Sequence, residues 1–227
     1  MFALAFCAIA FANAVNGQMV SPTNCFPPLV GAFAGTAYGQ YTDGSNLYVI
    51  QNVQVKDFTG CDPLPTQVGG QTVFTMGTTL HGTFILNGAP QSFDAPAQMT
   101  VRYVKTGGGA PDVGDYFAEM LQLTVEGGTL PAGAIIRESP TLQSTGHVTV
   151  SLVSGSYHMD SFFDIFTELS VNGAVTWMPS SAPPSHVNLV PASTTIPTMG
   201  EWGLIILASL MVVTAGTILF RRGLMGA

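Results

Sequence analysis

The chain has 227 residues and a formal net charge of −7, and only 8% of its residues are charged, against the ~25% usual in soluble domains. Between residues 15 and 198, four bases (Lys56, Arg102, Lys105, Arg137) stand against twelve acids, a net charge of −8. That balance excludes nucleic acid, which needs a basic patch, and gives no hold on anionic lipid headgroups. Thr, Ser, Gln, Asn and Gly supply the polarity instead, as suits an exported protein.

Residues 1–14 read as a secretory signal peptide, a helix removed on export. The apolar run 2–12 has the right length, and Ala12-Asn13-Ala14 supplies the small-x-small pattern for cleavage after Ala14. No base follows Met1 before Lys56, and a start codon assigned downstream of the true one would account for that departure. The competing reading is a buried first strand or helix. Of three cysteines, Cys7 leaves with the signal, so Cys25 and Cys61 form an even pair in a compartment that permits disulfides. Closing that loop would remove denatured-state entropy worth about 3 to 4 kcal/mol. The alternative is two free, buried thiols.

Residues 15–33 are rich in Pro and apolar side chains and read as an extended lead-in. The stretch 34–178 reads as one β-domain. Alternation begins at 47–58, with Val53 and Val55 on one face and Gln54 and Lys56 on the other. It returns at 72–76, 83–86, 99–104 and 120–125. Further candidate strands are 134–137, 147–152, 157–159, 165–171, 175–178 and 186–189. About ten short strands separated by Gly, Pro or Asn, with no long 3.6-residue period between the two ends, predict an antiparallel two-sheet β-sandwich, with a closed β-barrel as the alternative. Asn87-Gly88 and Asn172-Gly173 both suit a two-residue type I′ turn. Each is followed by an aromatic and then a proline, a pattern open to either duplication or convergent hairpin chemistry.

No residue spacing marks a catalytic site, a cofactor or a metal. His81, His147, His158 and His186 are scattered, no nucleophile elbow is present, and Ser154-Gly155-Ser156 reads as a strand-joining turn. Asp160, Asp164 and Glu168 are weak ligand candidates. Clean alternation of Phe163, Ile165, Thr167, Leu169 and Val171 argues for a strand there, which would set Asp164 and Glu168 about 13 Å apart on one face. That separation exceeds the ~6.5 to 9.5 Å of an inverting glycosidase pair. Arg137 reads as an anion clamp or as half of an ion pair, with Asp160 or Asp164 as the expected partner.

Residues 179–195 carry Pro among Ser, Ala and Thr and read as an extended spacer. Residues 196–227 comprise a motif, a membrane helix and a basic end. The run from Trp202 to Phe220 holds no charge and would make a helix of roughly 28 Å, close to the ~30 Å hydrocarbon core. Trp202 sits where an interfacial aromatic belongs, and Arg221 and Arg222 act as stop-transfer residues on the cytoplasmic side.

Ile196, Pro197, Thr198, Trp202 and Gly203, with Met199 where Leu is usual, resemble the bacterial IPTL-type C-terminal sorting domain, a relative of the signals that exosortases process. The resemblance implies an exosortase-type sorting transpeptidase as partner, transient membrane anchoring, and then a cell-surface or extracellular location. The body, over 120–190 and through the segment Arg137-Glu138-Ser139-Pro140-Thr141-Leu142, resembles an exported bacterial β-domain of unassigned function. The expectation is a non-enzymatic surface or matrix protein. The alternative is a module binding exopolysaccharide, which requires Trp177 and Tyr116 on one open face. A hydrolase is the weakest reading.

Overall fold

The computed structural model describes residues 19–21, 23–29, 31–35 and 38–191. The chain divides after residue 192 into two units, and the described residues all belong to the first. The expected signal peptide, sorting motif, membrane helix and basic end lie outside the described residues.

Fifteen strands and no helix occur among the described residues: β1 Met19–Ser21, β2 Cys25–Phe26, β3 Gly31–Ala34, β4 Tyr38–Thr42, β5 Leu47–Lys56, β6 Asp62–Pro63, β7 Gln71–Leu86, β8 Ala89–Gly107, β9 Gly114–Glu126, β10 Ile135–Glu138, β11 Ser144–Val153, β12 Ser156–Ile165, β13 Thr167–Ser170, β14 Met178–Pro179 and β15 Ser185–Pro191. Every pairing is antiparallel, and following neighbours round gives β3-β5-β7-β8-β9-β11-β12-β15 and back to β3. The domain is therefore a closed eight-stranded barrel with additional strands, not the expected two-sheet sandwich. Alternating half-buried strands serve either architecture; the difference is whether first and last strands bond to each other, and here Leu189 pairs with Phe33.

Several strands are longer than their punctuation suggests. Residues 72–76 and 83–86 belong to one 16-residue strand, β7. Gly77 and Gly82 inside it do not turn the chain; at Gly82 a Cβ would meet the Phe93 ring at 3.0 Å, so the missing side chain leaves room for that ring. The β7–β8 hairpin does turn at Asn87 and Gly88, with φ of 49° and 88°, as the type I′ geometry requires. Asn172-Gly173 instead belongs to a longer loop between β13 and β14. Ser154 and Gly155, both at positive φ, make the tight turn between β11 and β12.

The barrel extends past the composition boundary at residue 178. Residues 185–191, within the stretch expected as spacer, form β15 between β12 and β3. The lead-in likewise contributes β1, β2 and β3. Pro183 and Pro184 precede β15 and Pro191 ends it, positions where a missing N–H does little harm to a ladder.

Side chains fill the lumen. At one end Phe26 packs edge-on against Phe33 and Tyr103, and Phe33 against Phe58 and Phe163, with centroids 5.4–6.3 Å apart. Each such pair contributes about 0.5–1.5 kcal/mol beyond area burial. Cys25 and Cys61 are joined beside this cluster, their Cα atoms 5.4 Å apart. Lys105, 1% exposed, donates to the carbonyls of Thr66, Ala110 and Pro111 at 2.6–3.2 Å and so ties two loops over the same end. Mid-barrel, Met99, Met120, Ile165 and Val187 border an apolar void of about 50 Å³.

At the β4–β5 turn, Asp43 accepts from the Asn46 amide (3.0 Å), the Asn46 and Ser45 N–H groups (2.7 and 2.9 Å) and the Tyr48 hydroxyl (2.8 Å). These bonds, the Asn46 side chain first, hold its carboxyl well below the usual carboxylate range. A depressed folded-state pKa contributes stability that is present above the unfolded value of about 3.9 and lost as pH falls toward the folded one. Asp43→Ala is therefore expected to lower the melting midpoint near neutral pH, with the gap to the parent narrowing below about pH 3.9. A gap independent of pH, followed by circular dichroism, would contradict this account.

Candidate ligand groove

β9 changes partners along its length. Residues from Gly114 to Met120 pair with β11, and residues from Thr124 to Glu126 pair with β10. The register shifts between these stretches, leaving Leu121 and Gln122 both exposed. Beyond the shift, β10, β13 and β14 form a flap that branches from the ring at β9 and meets β4 at its far side, where Ser181 N donates to the Gln40 carbonyl at 2.8 Å and the Tyr41 hydroxyl lies 2.6 Å from Thr167 Oγ1. An outward-facing groove of about 450 Å³ follows this hand-over, lined by Leu121, Gln122, Thr124, Arg137, Glu138 and Trp177 among others.

Arg137 and Glu168 are cross-strand partners on β10 and β13. Arg137 Nε and Nη2 both donate to Glu168 Oε2, at 3.0 and 2.6 Å. The guanidinium also lies over the Trp177 ring, 3.8 Å from its centroid, a planar stack available to Arg but not to Lys. Trp177 is half-buried. Glu138 sits beside this pair; burial raises its carboxyl above the ordinary value, the Glu119 and Glu168 carboxylates add to the rise, and Ser144 hydrogen bonds offset part of it. Glu119 is committed to Arg102 and accepts from Gln143 Nε2 at 2.6 Å.

The loop carrying Trp177 is held from within. Fully buried Ser170 Oγ accepts from Ala174 N (3.0 Å) and donates to Asn172 Oδ1 (2.9 Å). Asn172 in turn accepts from Thr176 N (3.0 Å) and donates to Thr176 Oγ1 (2.8 Å). Gly173 N reaches the Gly133 carbonyl at 3.0 Å. Ala174, which lines the groove, has φ of 69°, a left-handed conformation that costs an L-residue roughly 1–2 kcal/mol. Strain of this kind collects where surrounding structure over-determines the backbone, as at binding sites.

The weak ligand candidates separate. Arg137 and Glu168 meet at the groove, so Arg137 pairs with Glu168 and not with Asp160 or Asp164. Asp160 and Asp164 stand outward on β12, separated from β9 by β11, and Asp164 Oδ1 lies 2.7 Å from His186 Nδ1. Asp164 and Glu168 do not share a strand face, because the chain breaks at Phe166 and leaves the ring for the flap; Glu168 is buried there. Tyr116 lies inside the barrel, wholly buried, so the expected pairing of Trp177 with Tyr116 on one open face does not occur. Gln122 and Thr124 escaped the sequence reading; the signal was the three-residue spacing of Met120 and Leu123, both buried, which marks the irregularity. Among the described residues, no group of three His, Cys, Asp or Glu side chains is placed to hold a metal ion.

The described unit is thus a filled β-barrel whose clefts open outward. Residues 194–226 match the family model of the IPTL-CTERM motif; Ile196, Pro197, Thr198, Trp202, Gly203 and the Arg221-Arg222 pair all fall inside that span. The motif is that of an exported protein sorted through its C-terminus by an exosortase-class enzyme. The match covers the tail and not the barrel. No curated protein and no solved structure matches the chain.

Removing the Arg137 guanidinium leaves the buried Glu168 carboxylate unpaired. Arg137→Met is expected to cost about 2–3 kcal/mol in urea unfolding, between the values for exposed and fully buried pairs. Adding Glu168→Leu should recover most of that loss, and a double variant no better than the single would refute the pairing argument. Ala174→Gly, by contrast, should raise stability by up to about 1 kcal/mol as the left-handed strain is relieved.

Proposed function

We propose that the protein is a non-enzymatic module that is sorted by its tail to the cell surface or extracellular matrix and works there through the outer surface of its barrel. The observation that carries this reading is the filled lumen joined to a sorting tail. A void of about 50 Å³ falls far short of the ~300–1,000 Å³ of small-molecule sites, so the barrel is a scaffold rather than a container. The low charge and the Thr- and Gln-rich exterior suit a role in contact with neighbours. In this reading the exosortase-class enzyme removes the membrane segment and Arg221-Arg222 near Thr198.

A second reading, favoured by the Trp177 groove, is a carbohydrate-binding module acting on extracellular polysaccharide. A half-exposed indole beside amide and hydroxyl side chains is the chemistry that recognises a sugar ring. Glu138, with its raised carboxyl, is the one group in the groove that invites a hydrolase reading. In the non-enzymatic reading it has no chemistry to perform, and Glu138→Gln leaves the surface phenotype unchanged.

Fractionation of native cells with intact-mass measurement tests the first reading. The expected result is a surface-accessible protein lacking the span, and loss of display when residues 194–226 are deleted. A mature mass that still includes Arg221 and Arg222, or display without the tail, would overturn it.

A further inference from the structure

We infer that the outer groove at β9, β10 and the Trp177 loop binds a neutral glycan chain, with Trp177 as its stacking residue; this rests on the carbohydrate-binding reading and specifies its site and ligand class. A second groove, of about 870 Å³, adjoins the first and shares Gln122, Thr124 and Glu126 with it. The two form a continuous trough across the barrel wall, the shape for several residues of a chain rather than a single small molecule.

Charge selects a neutral occupant. Arg137, the base in the lining, is paired with the Glu168 carboxylate and stacked on Trp177, so the lining carries no uncompensated positive charge to attract a carboxylate or sulfate on the ligand. Glu126 and Glu138 line the same trough and repel polyanions. The remaining polar groups, Gln122 and Thr124, are uncharged donors and acceptors suited to hydroxyls.

Backbone pairing selects against a peptide. A peptide commonly adds itself to a free sheet edge. β9 is paired by β8 along its length and by β10 from Thr124 to Glu126, and β10 by β9 and β13; the step at residues 121–123 of β9, between β11 and β10, is too short an edge for an added strand. The trough therefore offers mainly side chains and no long free edge, and aromatic stacking with amide and hydroxyl hydrogen bonds fits a polyol better than an extended peptide. Pre-organisation completes the case. The guanidinium stack fixes the indole, and the Ser170–Asn172–Thr176 bonds fix the loop that carries it, so little ordering remains at binding.

The test is affinity electrophoresis of the full chain in detergent through gels holding dextran, galactomannan or mixed-linkage β-glucan as neutral polymers, and alginate as the acidic one. The parent is expected to be retarded by at least one neutral polymer and not by alginate. Trp177→Ala and Gln122→Ala should each weaken that retardation tenfold or more, with circular dichroism confirming that they fold; Gln122 is exposed and its loss spares the core. If both folded variants bind like the parent, the trough assignment fails while the carbohydrate reading survives. Retardation by alginate alone overturns the neutral ligand. Retardation by no polymer overturns both, and a peptide-array signal lost in the same variants would assign the trough to a peptide instead.

Discussion

The structure depends on one long-range pairing, that of β15 with β3. It joins residues near the two ends of the described chain, Pro191 opposite Gly31 and Leu189 opposite Phe33, and without it the eight strands are an open sheet with two free edges. Closing so large a loop is entropically slow rather than prohibitively costly, since the penalty grows only with the logarithm of length. The disulfide eases the step. Cys25 lies just before β3 and Cys61 just after β5, so the bridge holds the entry to β3 near the strand it pairs with, independent of β15. The edge-on cluster of Phe26, Phe33, Tyr103 and Phe163 then sits where bridge, first strands and closing strands converge.

Closure also decides where binding can take place. An eight-stranded barrel has a lumen just wide enough for its own side chains, and this one is occupied by large residues from every strand, accommodated by small ones such as Ala95, Ala118 and Gly82. Recognition is then left to the exterior, which is convex unless the wall is interrupted. The interruption is the hand-over on β9, from β11 to β10. Where the flap of β10, β13 and β14 leaves the ring, a concave surface appears beside it, and the loop between β13 and β14 sets Trp177 at that surface. The same irregularity that loosens the ladder makes the trough.

What the sequence disclosed follows from what local pattern encodes. Period-2 alternation gave the β class, and Asn87-Gly88 gave its hairpin, because turn geometry is a property of two adjacent residues. The Cys25–Cys61 pair was legible by arithmetic. Closure was not, since sandwich and barrel share the same alternation and differ only in one non-local pairing. The fate of Glu168 was hidden for a related reason. Its neighbours alternate cleanly on paper, but Phe166 breaks the strand and the residues beyond it pair with β10. Arg137 was rightly read as half of an ion pair, yet its partner lies 31 residues away, across a turn of the topology that periodicity does not report.

The stretch between residues 179 and 191 shows how composition misleads at a boundary. Its prolines and small polar residues have the make-up of a linker, but they cluster before β15 and at its last residue, leaving the ladder positions to Ser185, His186, Val187, Asn188, Leu189 and Val190. Val187 and Leu189 are buried while His186 and Asn188 face outward, so four alternating residues suffice to make a strand once two neighbours stand ready to pair with it. The segment matched to the sorting motif begins at residue 194, three residues after that strand ends. Barrel closure and C-terminal sorting are thus encoded in adjoining stretches with little chain between them. A deletion aimed at the apparent spacer removes a staple of the barrel wall, and a loss of display in such a variant would report failed folding before it reported anything about sorting.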